Sequence, residues 1–365
     1  MNLEERLRER IRREGPISFY EWMKAALYDE REGYYCRRDR VRQGRHGDYR
    51  TAPEMSPLFG AVFANYFMKS YFDLGAPPSL TIVEIGSGTG DFAHDVLRSL
   101  QINFPTVFSA TRYIIDEVSA DAQSKALSKV APFKDRVQFR ALSQLSEPLP
   151  HALIFSNELI DAFPVHRVIG RGGGVKELRV ALDDAGQFAW VEWKLDGHVA
   201  EYCDQIKLEL AEGQIFEVNL RAEQFLSLAA KSIREGLVIT VDYGGERHEL
   251  LSDPNRFSGT LRAFRKHQFV DEILSRPGEY DLTTTVDWTH LIEAGKRHGL
   301  EMLRFQRLNE FLMDENALFE VLSAASVISD PAAQFKLNRD ALELIKSDGM
   351  AAAFQILVQR KSTRD

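Results

Sequence analysis

The sequence is poor in cysteine and contains no long apolar run. Cys36 and Cys203 are the only two cysteines among 365 residues, and they lie far apart, without the spacing of metal ligands. A chain of this length can bury a large core without disulfides, so a reducing compartment is expected. No apolar stretch reaches the roughly 20 residues that a membrane-spanning helix needs. The sequence therefore predicts no membrane span.

The sequence also lacks an excess of positive charge. Lysine and arginine number 46 against 54 acidic residues, which gives a net charge of −8. This charge disfavours broad binding to nucleic-acid phosphates and favours a basic acceptor. The first 15 residues are rich in acids, unlike a mitochondrial presequence, and have no apolar core, unlike a secretory signal. We therefore expect a cytoplasmic protein with no nucleic-acid partner, and the sequence is compatible with a homodimer.

Residues 81–100 carry the most informative pattern. An apolar run at 81–85 leads into Gly86, Gly88 and Gly90, and apolar residues then recur with helical spacing over 93–100. The pattern predicts a strand, a tight turn and a helix. Glycine permits positive φ and close approach of a ligand, and the first N–H groups of the helix point into the same space. A glycine turn without any ligand is the plain alternative.

Acidic residues flank this turn. Glu84 precedes the first glycine, and the next strand, at 113–115, ends in Asp116 and Glu117. A dinucleotide site would show G-x-G-x-x-G rather than the G-x-G-x-G found here, and its pyrophosphate would be repelled by carboxylates. The spacing instead resembles the S-adenosylmethionine site of class I methyltransferases, whose cofactor is cationic and carries ribose hydroxyls. That resemblance implies cofactor-binding roles for seven residues: Glu84, Gly86, Ser87, Gly88, Gly90, Asp116 and Glu117.

A long irregular segment precedes the glycine strand. Residues 33–60 show no apolar periodicity and are punctuated by glycine and proline. Loops of this length in compact domains are often functional, and a solvated connection is the alternative. The segment contains four further candidates for contact with the cofactor: Gly47, Asp48, Thr51 and Glu54.

Strands alternate with helices after residue 80, which predicts a mainly parallel sheet covered on both faces. The strand at 152–156 delivers Asn157 and Glu158 to its carboxyl end, where ligands bind in such sheets. Asp161 follows three residues later, so the two acids can face one pocket. The alternative is that Asn157 caps a turn and both acids are solvated.

The domain organisation follows from where this alternation is interrupted. Residues 1–75 are predicted to form an N-terminal segment of helices and a lid loop, and 76–365 a methyltransferase domain. Insertions at about 165–213 and 246–286 break the pattern, the first with a hairpin whose glycine-rich tip is 170–174. The predicted fold class is α/β, a Rossmann-like sheet with an N-terminal extension and antiparallel insertions.

Together these segments resemble the MidA-like family, which includes the mitochondrial complex I assembly methyltransferase of protein arginine. The most specific are Thr-Ala-Pro-Glu at 51–54 and Asn-Glu-x-x-Asp-Ala-x-Pro at 157–164. The other matching segments are 15–19, 33–35, 47–50, 84–90, 242–244 and 284–288. The resemblance covers nearly the whole chain.

The resemblance implies transfer of a methyl group from S-adenosylmethionine to an accessible arginine of a protein substrate. Carboxylates can pair with the planar guanidinium in a fork. We expect Glu158 to be the main acid holding the arginine, Asp161 the second acid and Asn157 an orienting amide. Two alternatives stay open, namely a methyltransferase for a small molecule or another acceptor, and a non-catalytic assembly factor that binds the cofactor.

Overall fold

The computed structural model describes residues 1–37, 56–266, 268–314, 318–319, 322 and 331–362. The helices are Leu3–Glu14, Phe19–Tyr28, Pro57–Asp73, Asp91–Asn103, Pro105–Ala110, Ala120–Lys129, Gly197–Gln205, Leu220–Ser232, Arg247–Ser252, Trp288–Arg297, Leu308–Asp314, Pro331–Ile345 and Met350–Ala353. The strands are β1 Ile17–Ser18, β2 Leu80–Ile85, β3 Thr111–Asp116, β4 Val137–Phe139, β5 Leu149–Asn157, β6 His166–Arg171, β7 Gly174–Leu182, β8 Phe188–Lys194, β9 Ile215–Val218, β10 Ile233–Gly245, β11 Arg262–Arg265, β12 Gln268–Phe269, β13 Asp281–Thr283, β14 Val286–Asp287, β15 Glu301–Arg307 and β16 Phe354–Lys361. No helix within these ranges is long and apolar enough to cross a bilayer.

The chain divides into two compact units. Unit 1 comprises Met1–Tyr49, Ile160–Phe225 and Gly245–Leu291, and unit 2 comprises Arg50–Leu159, Leu226–Gly244 and Ile292–Asp365. Each unit is therefore assembled from three separate stretches of sequence. The predicted division at residue 75 stays a prediction.

Unit 2 contains the main sheet, with strand order β15-β16-β10-β5-β2-β3-β4. The strands β10, β5, β2, β3 and β4 run parallel, and β16 and β15 are antiparallel additions at one edge. In the register, Ile85 lies opposite both Asp116 and Ser156, and Asn157 lies opposite Val241. The carboxyl ends of four neighbouring strands thus share one rim. The predicted class I methyltransferase-like α/β fold is confirmed.

Four phenylalanine side chains pack together beneath this rim. Phe92, on the helix that follows the glycine turn, stacks on Phe155 of β5 with ring centroids 4.1 Å apart. Phe63 and Phe67, on the helix Pro57–Asp73, pack edge-on against the same ring. All four side chains are at most 2% exposed. This packing fixes the helix Asp91–Asn103 against the sheet and so fixes the turn that leads into it.

Unit 1 is built around antiparallel sheets. One has the order β1-β7-β6-β9 with β8 paired to β7, and a smaller one has the order β12-β11-β13. The hairpin β6–β7 turns at Gly172 and Gly173, both with positive φ, as its glycine-rich tip predicts. The predicted antiparallel insertions are therefore present. The N-terminal helices also belong to unit 1, and the first buries Leu3, Leu7 and Ile11 as their spacing predicts.

Among the elements that were not predicted are the strand β15 and the helix Pro331–Ile345. Residues of β15 are exposed or half-buried throughout, so the strand has no alternation to detect. The sequence also predicts a helical stretch near residues 315–325, and most of these residues lie outside the described ones.

Candidate active site

The glycine turn lies directly after β2. Gly86, Gly88 and Gly90 have φ values of 74°, 53° and 79°, in the region that only glycine adopts without strain. The N–H of Gly86 donates to the carbonyl of Asp116 at 2.8 Å, which ties the turn to the end of β3. A Cβ at Gly90 would lie 2.9 Å from that of Ala126, so the helix Ala120–Lys129 also requires glycine there. The turn is fixed on two sides.

The acids at the end of β3 face different partners. Glu117 accepts from the N–H of Gly88 at 2.9 Å through Oε2, and from the N–H of Ser119 at 2.8 Å through Oε1. Its carboxylate therefore lies against the glycine turn. Asp116 accepts from the N–H of Leu142 at 2.7 Å, and burial raises the pKa of its carboxyl. Of the two predicted acids, Glu117 is the one that the structure brings to the turn.

Glu84 lies beneath the turn rather than beside it. Its side chain is 4% exposed, and its carboxyl accepts from the hydroxyl of Tyr113 at 2.8 Å. Burial raises the pKa of Glu84 to about 8, and the nearby charges of Glu117 and Asp91 act in the same direction. At neutral pH the group is therefore mostly protonated. The sequence pattern did not indicate that Glu84 is buried, although it did predict that Tyr113 lies on the neighbouring strand.

The turn also contains a buried hydroxyl without a protein partner. Ser87 is 9% exposed, and its Oγ has no hydrogen-bond partner among the described residues. A buried hydroxyl of this kind costs free energy unless a ligand or water bonds to it. A turn with three positive-φ glycines, an unsatisfied hydroxyl and an adjoining carboxylate fits a small polar cofactor that carries hydroxyl and ammonium donors.

The end of β5 forms the second half of the rim. Glu158 has a positive φ of 51° although it is not glycine, and its N–H donates to the carbonyl of Val241 at 2.9 Å. Asn157 donates through Nδ2 to Oε1 of Glu158 at 3.0 Å, while its own Oδ1 is buried with no partner among the described residues. The two predicted site residues Asn157 and Glu158 are thus in direct contact.

Asp242, at the end of β10, is a residue that the sequence analysis did not assign to the site. It is fully buried, and its Oδ2 accepts from the N–H of Leu159 at 3.2 Å while Oδ1 accepts from the N–H of Tyr243 at 2.9 Å. Together with the Val241 carbonyl it fixes the two peptide groups that flank the Cα of Glu158. The signal for it was available, since Asp242 follows a continuous apolar strand in the same way as Asn157.

Asp161 lies in unit 1. Its side chain is 5% exposed, and its backbone carbonyl accepts from the N–H of Thr284 at 2.9 Å. The remaining predicted residues, Gly47, Asp48, Thr51 and Glu54, lie outside the described residues.

The comparisons with known proteins bear directly on this rim. The family model of S-adenosyl-L-methionine-dependent methyltransferases matches residues 62–306, which is more than half of the chain and includes β2, β3, β5 and β10. The chain belongs to this family. Membership makes S-adenosylmethionine its cofactor and confirms the enzyme class predicted from the glycine turn.

Curated relatives extend the likeness. A Drosophila melanogaster protein, "Protein arginine methyltransferase NDUFAF7 homolog, mitochondrial", is 27% identical over 91% of this chain and 82% of its own length. The Xenopus tropicalis "Protein arginine methyltransferase NDUFAF7, mitochondrial" is also 27% identical, over 77% of this chain and 68% of its own length. The predicted resemblance to this family is confirmed. Because both relatives are named as mitochondrial proteins, the predicted cytoplasmic location is wrong.

Solved structures agree with the fold. A protein from Burkholderia thailandensis crystallised with S-adenosyl-homocysteine is 25% identical, with a TM-score of 0.86, and the match covers 100% of this chain and 92% of that one. A second crystal structure, of a superfamily protein from the same organism, has a TM-score of 0.85. The likeness to a structure that holds the demethylated cofactor agrees with the fit of the glycine turn.

Proposed function

We propose that this protein transfers the methyl group of S-adenosylmethionine to an arginine guanidinium of a protein substrate. The observation that carries the proposal is that Glu158, at the end of β5, lies next to the half of the rim that we propose binds the cofactor. Glu158 keeps a full side chain in a backbone conformation that costs a non-glycine residue about 1 kcal/mol. Strained residues of this kind cluster at active sites and ligand-binding positions. The names of the Drosophila and Xenopus relatives support arginine as the acceptor.

On this proposal, the cofactor is held by the glycine turn and its acids. The backbone of Gly86, Gly88 and Gly90 allows close approach, and Ser87 offers its unsatisfied hydroxyl. Glu117 would accept from donors on the cofactor, with Asp116 behind it and Glu84 supporting the end of β2 from below. We propose the same cofactor-binding role for Gly47, Asp48, Thr51 and Glu54.

The acceptor would be held by the acids that follow β5. Glu158 pairs with the guanidinium as the main acid, Asp161 is the second acid, and Asn157 orients the Glu158 carboxylate through the contact with Oε1. When bound, the cofactor would supply a methyl group on a sulfonium for in-line displacement, in which the sulfur–methyl bond breaks as the nitrogen–methyl bond forms, S-adenosylhomocysteine leaves and the nitrogen gives up a proton to water. The contribution of Glu158 is to fix the attacking nitrogen, because positioning supplies much of the rate in such a reaction.

The charge of the whole chain bears on the class of partner. A net charge of −8 favours a basic protein acceptor and disfavours a nucleic acid. We propose a protein partner with an accessible arginine, in the context of respiratory complex I assembly that the family resemblance implies. A homodimer is compatible with this role.

The test is transfer of a labelled methyl group to protein. Purified protein is incubated with labelled S-adenosylmethionine and a native extract, and the products are mapped by mass spectrometry of peptides. We expect label on arginine, lost in Glu158→Gln and retained in Glu301→Gln, which removes an exposed acid from β15 of the same unit. Label confined to small molecules, or to residues other than arginine, would contradict the proposal.

A further inference from the structure

Three successive backbone carbonyls in unit 1 are each held by a different part of the chain. At residues 160–162, the carbonyls accept in turn from Asn219 Nδ2 at 3.1 Å, from the N–H of Thr284 at 2.9 Å and from Tyr28 Oη at 3.0 Å. Thr284 adds its hydroxyl to the same carbonyl at 3.4 Å. We call Asn219, Thr284 and Tyr28 the carbonyl clamp.

Segment 160–162 lies in a bend and turn, outside any helix or strand ladder. Its residues are nevertheless buried, at 1%, 5% and 6% exposure. Buried carbonyls need partners, and the turn itself supplies one, from the N–H of Phe163 to the Ile160 carbonyl at 3.1 Å. The clamp adds a bond to each of the three carbonyls from a residue at least 59 positions away along the chain, as Asn219 is from Ile160, so the conformation of the turn depends on the fold of unit 1.

One clamp residue, Asn219, and the residue that follows another, Thr285, make second bonds. Asn219 accepts through Oδ1 from the N–H of Ala222, at the start of the helix Leu220–Ser232. Next to Thr284, the N–H of Thr285 donates to Thr260 Oγ1 at 3.0 Å, and that hydroxyl donates to Glu217 at 2.9 Å. Side chains held at two points define a position more sharply than side chains held at one.

The middle residue of the clamped segment is Asp161. We infer that Asn219, Thr284 and Tyr28 are positioning residues, which hold the Asp161 carboxylate in the geometry needed to take the acceptor guanidinium. This inference rests on the proposed function, because it is arginine binding that gives the Asp161 carboxylate its use. The clamp touches only the backbone, so it sets where the carboxylate points without altering its charge.

The experiment removes one clamp hydroxyl and compares it with a matched hydroxyl outside the clamp. Tyr28→Phe deletes the bond to the Ala162 carbonyl, and Tyr35→Phe deletes a bond that lies outside the clamp, to Asp281 Oδ1 at 2.7 Å. The two rings lie 5.4 Å apart in the same unit, so their surroundings are similar. Three quantities are measured for each variant: kcat/KM for the arginine acceptor, the Kd for S-adenosylhomocysteine, and amide hydrogen exchange over 160–163.

We expect Tyr28→Phe to lower kcat/KM for the acceptor about tenfold, as loss of one well-placed hydrogen bond does, with the cofactor Kd unchanged. Amide exchange over 160–163 should rise in Tyr28→Phe and stay at the wild-type rate in Tyr35→Phe. In an Asp161→Asn background, Tyr28→Phe should cause no further loss, because the clamp acts through that carboxylate.

Equal losses in the two tyrosine variants, or full additivity with Asp161→Asn, would overturn the inference while leaving arginine methylation intact. Wild-type protein that binds cofactor but methylates no arginine would overturn the proposed function, and the inference with it. Unchanged exchange over 160–163 in Tyr28→Phe would overturn the clamp itself, whatever the activity.

Discussion

The two turns at the rim of unit 2, one after β2 and one after β5, place different types of residue at their positive-φ positions. After β2, the turn uses glycine at all three positive-φ positions, whereas after β5 the positive φ falls on Glu158. Glycine removes both the strain and the side chain, so that the backbone itself faces the ligand. Glu158 retains its side chain at the cost of strain. The difference indicates that the first turn acts through its backbone and the second through a carboxylate.

The largest expected effect tests the carboxylate. Glu158→Gln keeps the shape of the side chain but removes its charge, and we expect kcat/KM for the arginine acceptor to fall about 100-fold, which is about 2.7 kcal/mol. Steady-state kinetics with a mapped acceptor peptide measures the loss, with Glu301→Gln as the control. Undiminished turnover in Glu158→Gln would remove Glu158 from the acceptor site.

The next effect tests the requirement for glycine. In Gly90→Ala the new methyl group meets Ala126 in addition to the strain of positive φ, so we expect the free energy of unfolding to fall by about 2 kcal/mol. Gly172→Ala is the matched control, because Gly172 also has positive φ but nothing lies within 4 Å of its Cβ position. Its loss should be about 1 kcal/mol, from strain alone. Equal losses in denaturant unfolding would show that the contact with Ala126 does not matter.

A third effect concerns the acid beneath the glycine turn. The pKa of Glu84 is raised from its ordinary 4.5 to about 8, so between these values the folded state holds a proton that the unfolded state releases. The associated stability is complete below about pH 4.5 and is lost as the pH rises towards 8. We expect Glu84 to lower the free energy of unfolding by about 1 kcal/mol between pH 6 and pH 7.

Denaturant unfolding of wild type and Glu84→Gln across this range measures that slope. The variant cannot titrate at this position, so its curve should fall less steeply by the stated amount. Parallel curves would mean that Glu84 is already ionised at neutral pH.

The smallest effect isolates the strain at residue 158. Glu158→Gly relieves the positive φ but frees the unfolded chain, so we expect a gain of no more than about 0.5 kcal/mol in the free energy of unfolding, with activity lost. Glu158→Asn, which tolerates this backbone better than glutamate, should gain a similar amount. A clear loss of stability in both variants would indicate that the side chain, rather than function, maintains this conformation.

Much of unit 2 could be predicted from local sequence. Apolar runs that end in glycine or in acids mark β2, β3 and β5, and parallel sheets collect such ends on one rim, as Ile85, Asp116 and Asn157 show. The chemical state of Glu84 could not be predicted in this way, because it depends on the burial that the folded core imposes. The strand β15, whose residues are exposed or half-buried, has no alternation of buried and exposed side chains that could have identified it.

The hydrogen-bond partners of the segment around Asp161 could not be predicted, for a different reason. The acid itself could be found from its spacing to Glu158. Its backbone partners Tyr28, Asn219 and Thr284 come from three distant parts of the sequence, and no local pattern connects them. Tertiary contacts of this kind become visible only in the folded chain.

The account assigns cofactor binding to the glycine turn after β2 and acceptor binding to Glu158 after β5. Calorimetric titration with S-adenosylhomocysteine tests this assignment most directly. The account predicts that wild type and Glu158→Gln bind it with the same Kd, while Glu117→Gln binds about tenfold more weakly because it loses a charged acceptor at the glycine turn. Failure of the folded wild-type protein to bind, or equal weakening in both variants, would contradict the account.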